Sequence, residues 1–255
     1  VIGVYDSGLG GLTVLAALRA AGVRDDVIYF ADQAHVPYGD KSDAELHALL
    51  ATNLRWLRDF GADAVVMGCN TSCAVASRLG WPDVPFPLGV ADLIANGADA
   101  LRATAYRRVA VVATVATVRS GAYGNAIRAV APHVDVLEIA APQLVPLVEA
   151  GASEGDAARD AVAAIAAALP ADVEAIVYGC THYPLLDAHF ARALPNAARI
   201  DPAVQQARVV AQLPLAHGTG RTTYVTNGDV TAFETNVRRW TGDVEGRVTA
   251  PIGAL

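Results

Sequence analysis

Two segments of this 255-residue chain carry the same chemical pattern. Val65-Val66-Met67-Gly68-Cys69-Asn70-Thr71-Ser72 and Ile176-Val177-Tyr178-Gly179-Cys180-Thr181-His182-Tyr183 each pass from an apolar run through Gly-Cys into small polar residues. A buried parallel strand reads as a continuous apolar run, and functional groups in open α/β sheets gather just beyond the carboxyl ends of such strands. Both cysteines are therefore expected at strand ends, one in each half of the chain, where two thiols can face each other across a cleft. An unassisted thiol with a pKa of about 8.5 is only a few per cent thiolate at neutral pH, so sulfur chemistry needs helpers. His182, in the same turn as Cys180, and Asp6, at the end of the first apolar run, are the candidates; for Asp6 an ordinary helix-capping role competes.

Asp6-Ser7-Gly8-Leu9-Gly10-Gly11-Leu12-Thr13 joins the first strand to the first helix. Glycine lets backbone N–H groups approach a ligand closely and a helix N-terminus favours an anion, so the loop is expected to hold a small anionic substrate. A dinucleotide fingerprint is the rival, with Asp32 placed where a ribose-binding acid would sit. Thr13 at the third glycine position and a carboxylate at Asp6 weigh against it, and a purely structural turn is the third reading. Pro37-Tyr38-Gly39 offers a phenol and a backbone N–H, or a plain turn. Thr114, Thr117, Ser120 and Tyr123 follow another apolar run and supply hydroxyls, at least one of them as a cap. Glu149, judged from its neighbours alone, is an exposed glutamate near a helix end. Cys69, Cys73, Cys180 and His182 would suit zinc by residue type, but the paired knuckles of structural sites are missing and Cys73 is expected to turn into the core. Lys41 is the only lysine and lies in a solvated helix start, which argues against a pyridoxal phosphate Schiff base; no Walker or H-E-x-x-H motif is present.

The elements that must position these groups are legible as alternation. Short β-branched runs at 1–5, 27–30, 64–67, 109–113, 134–137, 175–178 and 222–225 read as strands. Between them, sets such as Leu46, Leu49, Leu50, Leu54 and Leu57 have helical spacing. This is the signature of βαβ units, predicting an α/β chain of two similar doubly wound parallel-sheet domains. The proline-dense stretch 81–87 and Ile200-Asp201-Pro202 mark the boundaries. The first domain is expected to be discontinuous, 1–91 plus 205–255, because the tail is too short to fold alone, and the second is 92–204. With 53% hydrophobic and 18% charged residues the chain is no disordered protein, and a net charge of −7 gives no broad basic footprint for nucleic acid. The longest apolar runs fall far short of the ~20 residues of a membrane helix. The first residues enter strand-like sequence with no basic leader region. Three cysteines, an odd number, fit a reducing cytoplasm better than a disulfide scaffold.

Taken in order, Asp6-Ser7-Gly8-Leu9-Gly10-Gly11-Leu12-Thr13-Val14, Pro37-Tyr38-Gly39, Gly68-Cys69-Asn70-Thr71 and Gly179-Cys180-Thr181-His182-Tyr183-Pro184-Leu185-Leu186 resemble the cofactor-independent glutamate racemases along essentially the whole chain. The related aspartate racemases share the two-cysteine plan, but the glycine loop and the full GCTHYPLL stretch favour glutamate. The resemblance implies an active site between two α/β domains, no cofactor and no metal. It implies that Cys69 and Cys180 are the two bases, assisted by Asp6 and His182 respectively, with Glu149 supporting the second side. Asp6, Ser7, Tyr38, Gly39, Asn70, Thr71, Thr114, Thr117, Thr181 and His182 match substrate-contact positions. It further implies glutamate as the small-molecule partner and D-glutamate supply for peptidoglycan; the expected assembly is a homodimer in the cytoplasm, with no nucleic-acid or membrane partner. Ser72-Cys73 replaces the more usual small apolar pair, and Val115-Ala116 varies the loop between the two threonines. A non-enzymatic amino-acid-binding protein with two lobes is the alternative class; it would not need two cysteines.

Overall fold

The computed structural model describes residues 1–215, 218–243 and 246–251, so the parts of the expected first domain at 216–217, 244–245 and 252–255 lie outside the described residues. The strands are β1 (Ile2–Asp6), β2 (Val27–Ala31), β3 (Ala64–Met67), β4 (Val90–Ala91), β5 (Arg108–Ala113), β6 (Asp135–Ala140), β7 (Ala175–Gly179), β8 (Ala198–Ile200), β9 (Thr222–Thr226) and β10 (Arg247–Thr249). They form two sheets of order β10-β9-β2-β1-β3-β4 and β6-β5-β7-β8, and every pairing is parallel. The helices are α1 (Gly11–Ala20), α2 (Asp43–Asp59), α3 (Asn70–Leu79), α4 (Leu93–Asp99), α5 (Val115–Ser120), α6 (Ala122–Val130), α7 (Leu144–Glu149), α8 (Asp156–Ala168), α9 (Asp187–Ala193), α10 (Pro202–Val210) and α11 (Val230–Thr241). The mixed α/β architecture with two parallel sheets is the one expected. No helix among the described residues is long and apolar enough to cross a membrane.

Side-chain alternation along the strands decides which layer each residue joins. On one face of the first sheet Tyr5 and Phe30 stack toward Trp56 of α2; on the other, Tyr29 and Tyr224 meet Phe233 of α11. Helices thus cover both faces. In the second sheet Ala110, Val112, Ile176 and Tyr178 belong to a core of their own with α7, α8 and α9. Val109, Val111, Ala113, Ala175 and Val177 instead join the core of the first sheet, so apolar contact runs unbroken from one sheet to the other. Local signals set the helix starts: Ser42 and Glu45 form a capping box on α2, and Asp92, Asp201 and Asp229 accept from the first-turn N–H groups of α4, α10 and α11.

Three short strands were not legible in the sequence. Val90–Ala91, Ala198–Ile200 and Arg247–Thr249 are edge strands of two or three residues, only half-buried, and too short to show a period. The tail supplies two strands to the first sheet and α10, which packs on α1 and α4. From α10 the fully buried Gln206 donates its Nε2 to the carbonyl of Met67 at 2.7 Å, the last residue of β3 and two before Cys69. Gln206→Leu keeps the bulk and strips the donor from a buried carbonyl. It is expected to destabilise the fold by about 1–3 kcal/mol, read as a lower urea midpoint at unchanged slope.

Candidate active site

The strand ends converge on one cavity of about 90 Å3. Ser7 follows β1, Tyr38 and Gly39 follow β2, and Cys69, Asn70 and Thr71 follow β3. Thr114 follows β5, Pro142 follows β6, and Cys180, Thr181 and His182 follow β7; all line the cavity. The two cysteines end the strands β3 and β7, which lie inside their respective sheets, and reach the cavity from opposite sheets. Both are buried and neither is in a disulfide. Of the expected site residues, Asp6, Glu149 and Thr117 stand behind the wall rather than on it.

The loop after β1 does something other than expected of an anion site. The N–H groups of Gly8 and Gly11 donate to Asp6 Oδ2 at 3.0 and 2.9 Å, and Leu9 N–H donates to Glu149 Oε1 at 3.0 Å. The anions it cradles are the chain's own carboxylates, because the strand delivers Asp6 directly beneath the turn. Its glycines serve close approach: a Cβ on Gly10 would collide with Thr181 Oγ1 and His182 Nδ1, and one on Gly8 with Glu149 Oε1.

Each thiol has its own electrostatic setting. Burial first, and then the neighbouring Asp6 carboxylate, push Cys69 up to about 12, against the opposing influence of Ser72 and Ser7. Cys69 Sγ lies 3.8 Å from Ser7 Oγ. Asp6 makes no hydrogen bond to the sulfur; it is fully buried, and burial raises its own pKa despite His182 and the two loop N–H groups. Opposite, His182 Nδ1 lies 3.6 Å from Cys180 Sγ and its Nε2 2.7 Å from Glu149 Oε1. Burial by itself lowers the imidazole's pKa, but the bonds to Cys180 and Glu149 override it and hold His182 well above its ordinary value. Burial likewise works against Glu149 ionisation and the His182 contact outweighs it, leaving the glutamate lowered. The exposed helix-end reading of Glu149 is thereby corrected: its side chain is 19% exposed and joins the loop after β1 to His182.

Neutral donors complete the wall. Tyr123 of α6 donates to Asn70 Oδ1 at 2.6 Å and so fixes the amide, leaving Asn70 Nδ2 buried without a partner among the described residues. Thr71 and Thr114 share a 2.9 Å hydrogen bond across the two sheets, and Thr114 donates to Thr117 at 3.0 Å, so Thr117 orients Thr114 from behind. The Tyr38 phenol lines the cavity but donates to Asp32 and lies 2.8 Å from the Tyr5 hydroxyl. Asp32, proposed by its sequence position as a ribose partner, is instead fully buried under Tyr38, Asn53 and Asn227. Cys73 is buried beside Asp92, and among the described residues no three His, Cys, Asp or Glu side chains are grouped to hold a metal ion. The sequence reading missed the apolar roof of Pro142, Val145 and Pro146. It lies past the end of β6 and obeys the same strand-end rule, but carries no polar residue to draw attention.

Two buried thiols at strand ends of two parallel sheets thus line one cavity. The chain belongs to the Asp/Glu/Hydantoin racemase family of isomerases, whose model matches residues 13–210. It is 42% identical to the glutamate racemase of Gloeobacter violaceus over 217 residues, 84% of this chain and 81% of that protein. Among solved structures it is similar to glutamate racemase from Francisella tularensis in complex with D-glutamate (TM-score 0.87, 26% identity, 99% and 97% of the two chains). It is also similar to that from Thermus thermophilus in complex with β-chloro-D-alanine (TM-score 0.81, 34% identity, 98% and 95%).

The His182–Glu149 pair fixes a pH window. A raised imidazole contributes stability that is complete below its ordinary 6.5 and fades as pH rises through the folded value. A lowered glutamate contributes stability that is complete above 4.5 and fades as pH falls through its folded value. Glu149→Gln, which leaves a buried imidazolium without its counter-charge, is expected to cost about 3 kcal/mol between those two pH values and less on either side. Urea unfolding of parent and variant across pH checks it.

Proposed function

We propose that the chain interconverts L- and D-glutamate by α-proton transfer between Cys69 and Cys180, without a cofactor. The observation that carries this reading is the placement of both sulfurs on the wall of one cavity, each at the end of a strand from a different sheet. The name shared by the relatives and by the similar structures supports glutamate as the substrate. One sulfur, as thiolate, takes the α-proton: the C–H bond breaks and an S–H bond forms. The other, as thiol, gives its proton to the opposite face of the same carbon, which inverts it. Two bases on opposite faces spare the site from turning a carbanion over.

Asp6 and His182 differentiate the two sides. A thiolate on Cys69 beside the Asp6 carboxylate is a strong base, whereas Cys180 faces an imidazolium backed by Glu149. Asn70 Nδ2 and the hydroxyls of Ser7, Thr71, Thr114 and Thr181, with the backbone at Tyr38 and Gly39, are assigned to the substrate's charged groups. No lysine or arginine lines the cavity among the described residues, so these neutral dipoles, with the His182 imidazolium, must carry the carboxylates and the charge that grows as the proton leaves. The domains are taken as 1–91 with 205–255 and 92–204, a division supported by strand membership. Three free cysteines support the cytoplasm as compartment, where D-glutamate would serve peptidoglycan synthesis. A homodimer is the assembly we expect.

Proton NMR in D2O tests the reaction directly: L- and D-glutamate should each lose the α-proton signal, with inversion followed by optical rotation. Exchange with aspartate alone would change the substrate, and exchange with neither would remove the enzyme reading. Cys69→Ser and Cys180→Ser should each lower racemisation roughly 10²–10⁴-fold with the fold intact by circular dichroism; either variant racemising at the parent rate would end the two-base scheme.

A further inference from the structure

A two-base racemase finishes each turnover with its proton on the wrong sulfur. Before the next turnover in the same direction, the cysteine that took the α-proton must lose it and the other must regain one. Cys180 has His182 and Glu149 in line behind it. Cys69 is 4% exposed, and its nearest carboxylate, Asp6, makes no hydrogen bond to it.

Behind Cys69 a continuous row of hydroxyls crosses the α2 face of the first sheet. Cys69 is the N-cap of α3, and Ser72, three residues on, lies close enough for its hydroxyl to favour a thiolate on that sulfur. Ser72 Oγ donates to the Tyr5 hydroxyl at 3.4 Å, and the Tyr5 and Tyr38 hydroxyls lie 2.8 Å apart. Tyr38 in turn donates to Asp32 Oδ2. The other oxygen of Asp32 lies 2.6 Å from Nδ1 of His35, whose side chain is 44% exposed. Asn53 braces the middle, donating to both Tyr5 and Asp32 at 3.3 and 3.0 Å. Ser72, Tyr5 and Asp32 are all fully buried, yet the network ends at solvent.

We propose that Ser72, Tyr5, Tyr38, Asp32 and His35 form a proton-return path that resets Cys69 between turnovers. The proposal rests on the two-cysteine reading above. In the outward direction the Cys69 S–H bond breaks and its proton passes to Ser72. Each hydroxyl gives its own proton forward, from Ser72 to Tyr5, Tyr5 to Tyr38 and Tyr38 to Asp32. Asp32 hands one to the imidazole of His35, which releases one to water. The hydroxyls are restored, and the net change is a thiolate at Cys69 and a proton in solvent. The inward direction reverses every step. The hydrogen bonds from Ser72 to Tyr5 and from Tyr38 to Asp32 already point outward.

The test separates chemistry from reset. Asp32→Asn keeps an acceptor for Tyr38 but takes up no proton; Tyr5→Phe removes the central hydroxyl; Ser72→Ala breaks the row at the sulfur. With enzyme in excess over glutamate in D2O, Asp32→Asn and Tyr5→Phe should introduce the α-deuterium at the parent rate. With glutamate in large excess, steady racemisation in all three should fall roughly a hundredfold and fall further as glutamate rises, because substrate captures the enzyme before it resets. Unchanged steady turnover in the variants would overturn the path. An equal loss in both regimes would overturn it too, since that is the mark of a merely structural role. A parent enzyme that exchanges no α-proton would instead remove the two-base reading itself, a result seen before any variant is made.

Discussion

Everything in the site depends on how closely the loop after β1 lies against the segment after β7. Gly8, Gly10 and Gly11 leave room where side chains would collide with Glu149, Thr181, His182 and Asp6. That contact seats Glu149 on the Leu9 N–H, and Glu149 in turn holds His182. Because the loop is anchored to β1 and the histidine to β7, this approach ties the two sheets together beside the cavity. The sulfur at the end of β3, next to β1, and the sulfur at the end of β7 are thereby brought to the same cavity.

The same arrangement gives two chemically identical side chains different surroundings. Asp6 lies in the loop's cradle and opposes charge on Cys69; His182 places positive charge against Cys180. A symmetric pocket would bind both enantiomers but give neither sulfur a defined partner. The asymmetry comes from Asp6, held by backbone N–H groups, and from His182, held by Glu149, so it is set by the fold before any ligand enters.

Much of this was legible in the sequence, for physical reasons. The interior strands β1, β2, β3, β5 and β7 are wholly or almost wholly buried, so their apolar runs announce themselves, and the rule that chemistry follows strand ends led to Cys69 and Cys180. What was not legible depends on neighbours remote in sequence. Glu149 lies 140 residues from the Leu9 N–H that binds it, so no local pattern could mark it as other than a helix-end acid. The glycine loop was read as open to a ligand because nothing in its spacing shows that Asp6 and Glu149 fill it. The edge strands β4, β8 and β10 are short and half-exposed, and reveal themselves only by whom they pair with.

The position of β9 has a consequence for how the chain is made. It lies between β10 and β2, yet arrives some two hundred residues after β2. While a ribosome is still extending the chain, β2 is an edge strand with unpaired backbone groups, and it stays so through synthesis of the whole second sheet. The inner face of that sheet meanwhile needs the first sheet's core to cover Val109, Val111 and Val177. Folding from the N-terminus therefore passes through a stage with a bare parallel edge. A nascent chain in that state is a substrate for chaperones and for pairing with another copy, until residues 222–226 emerge and close the gap.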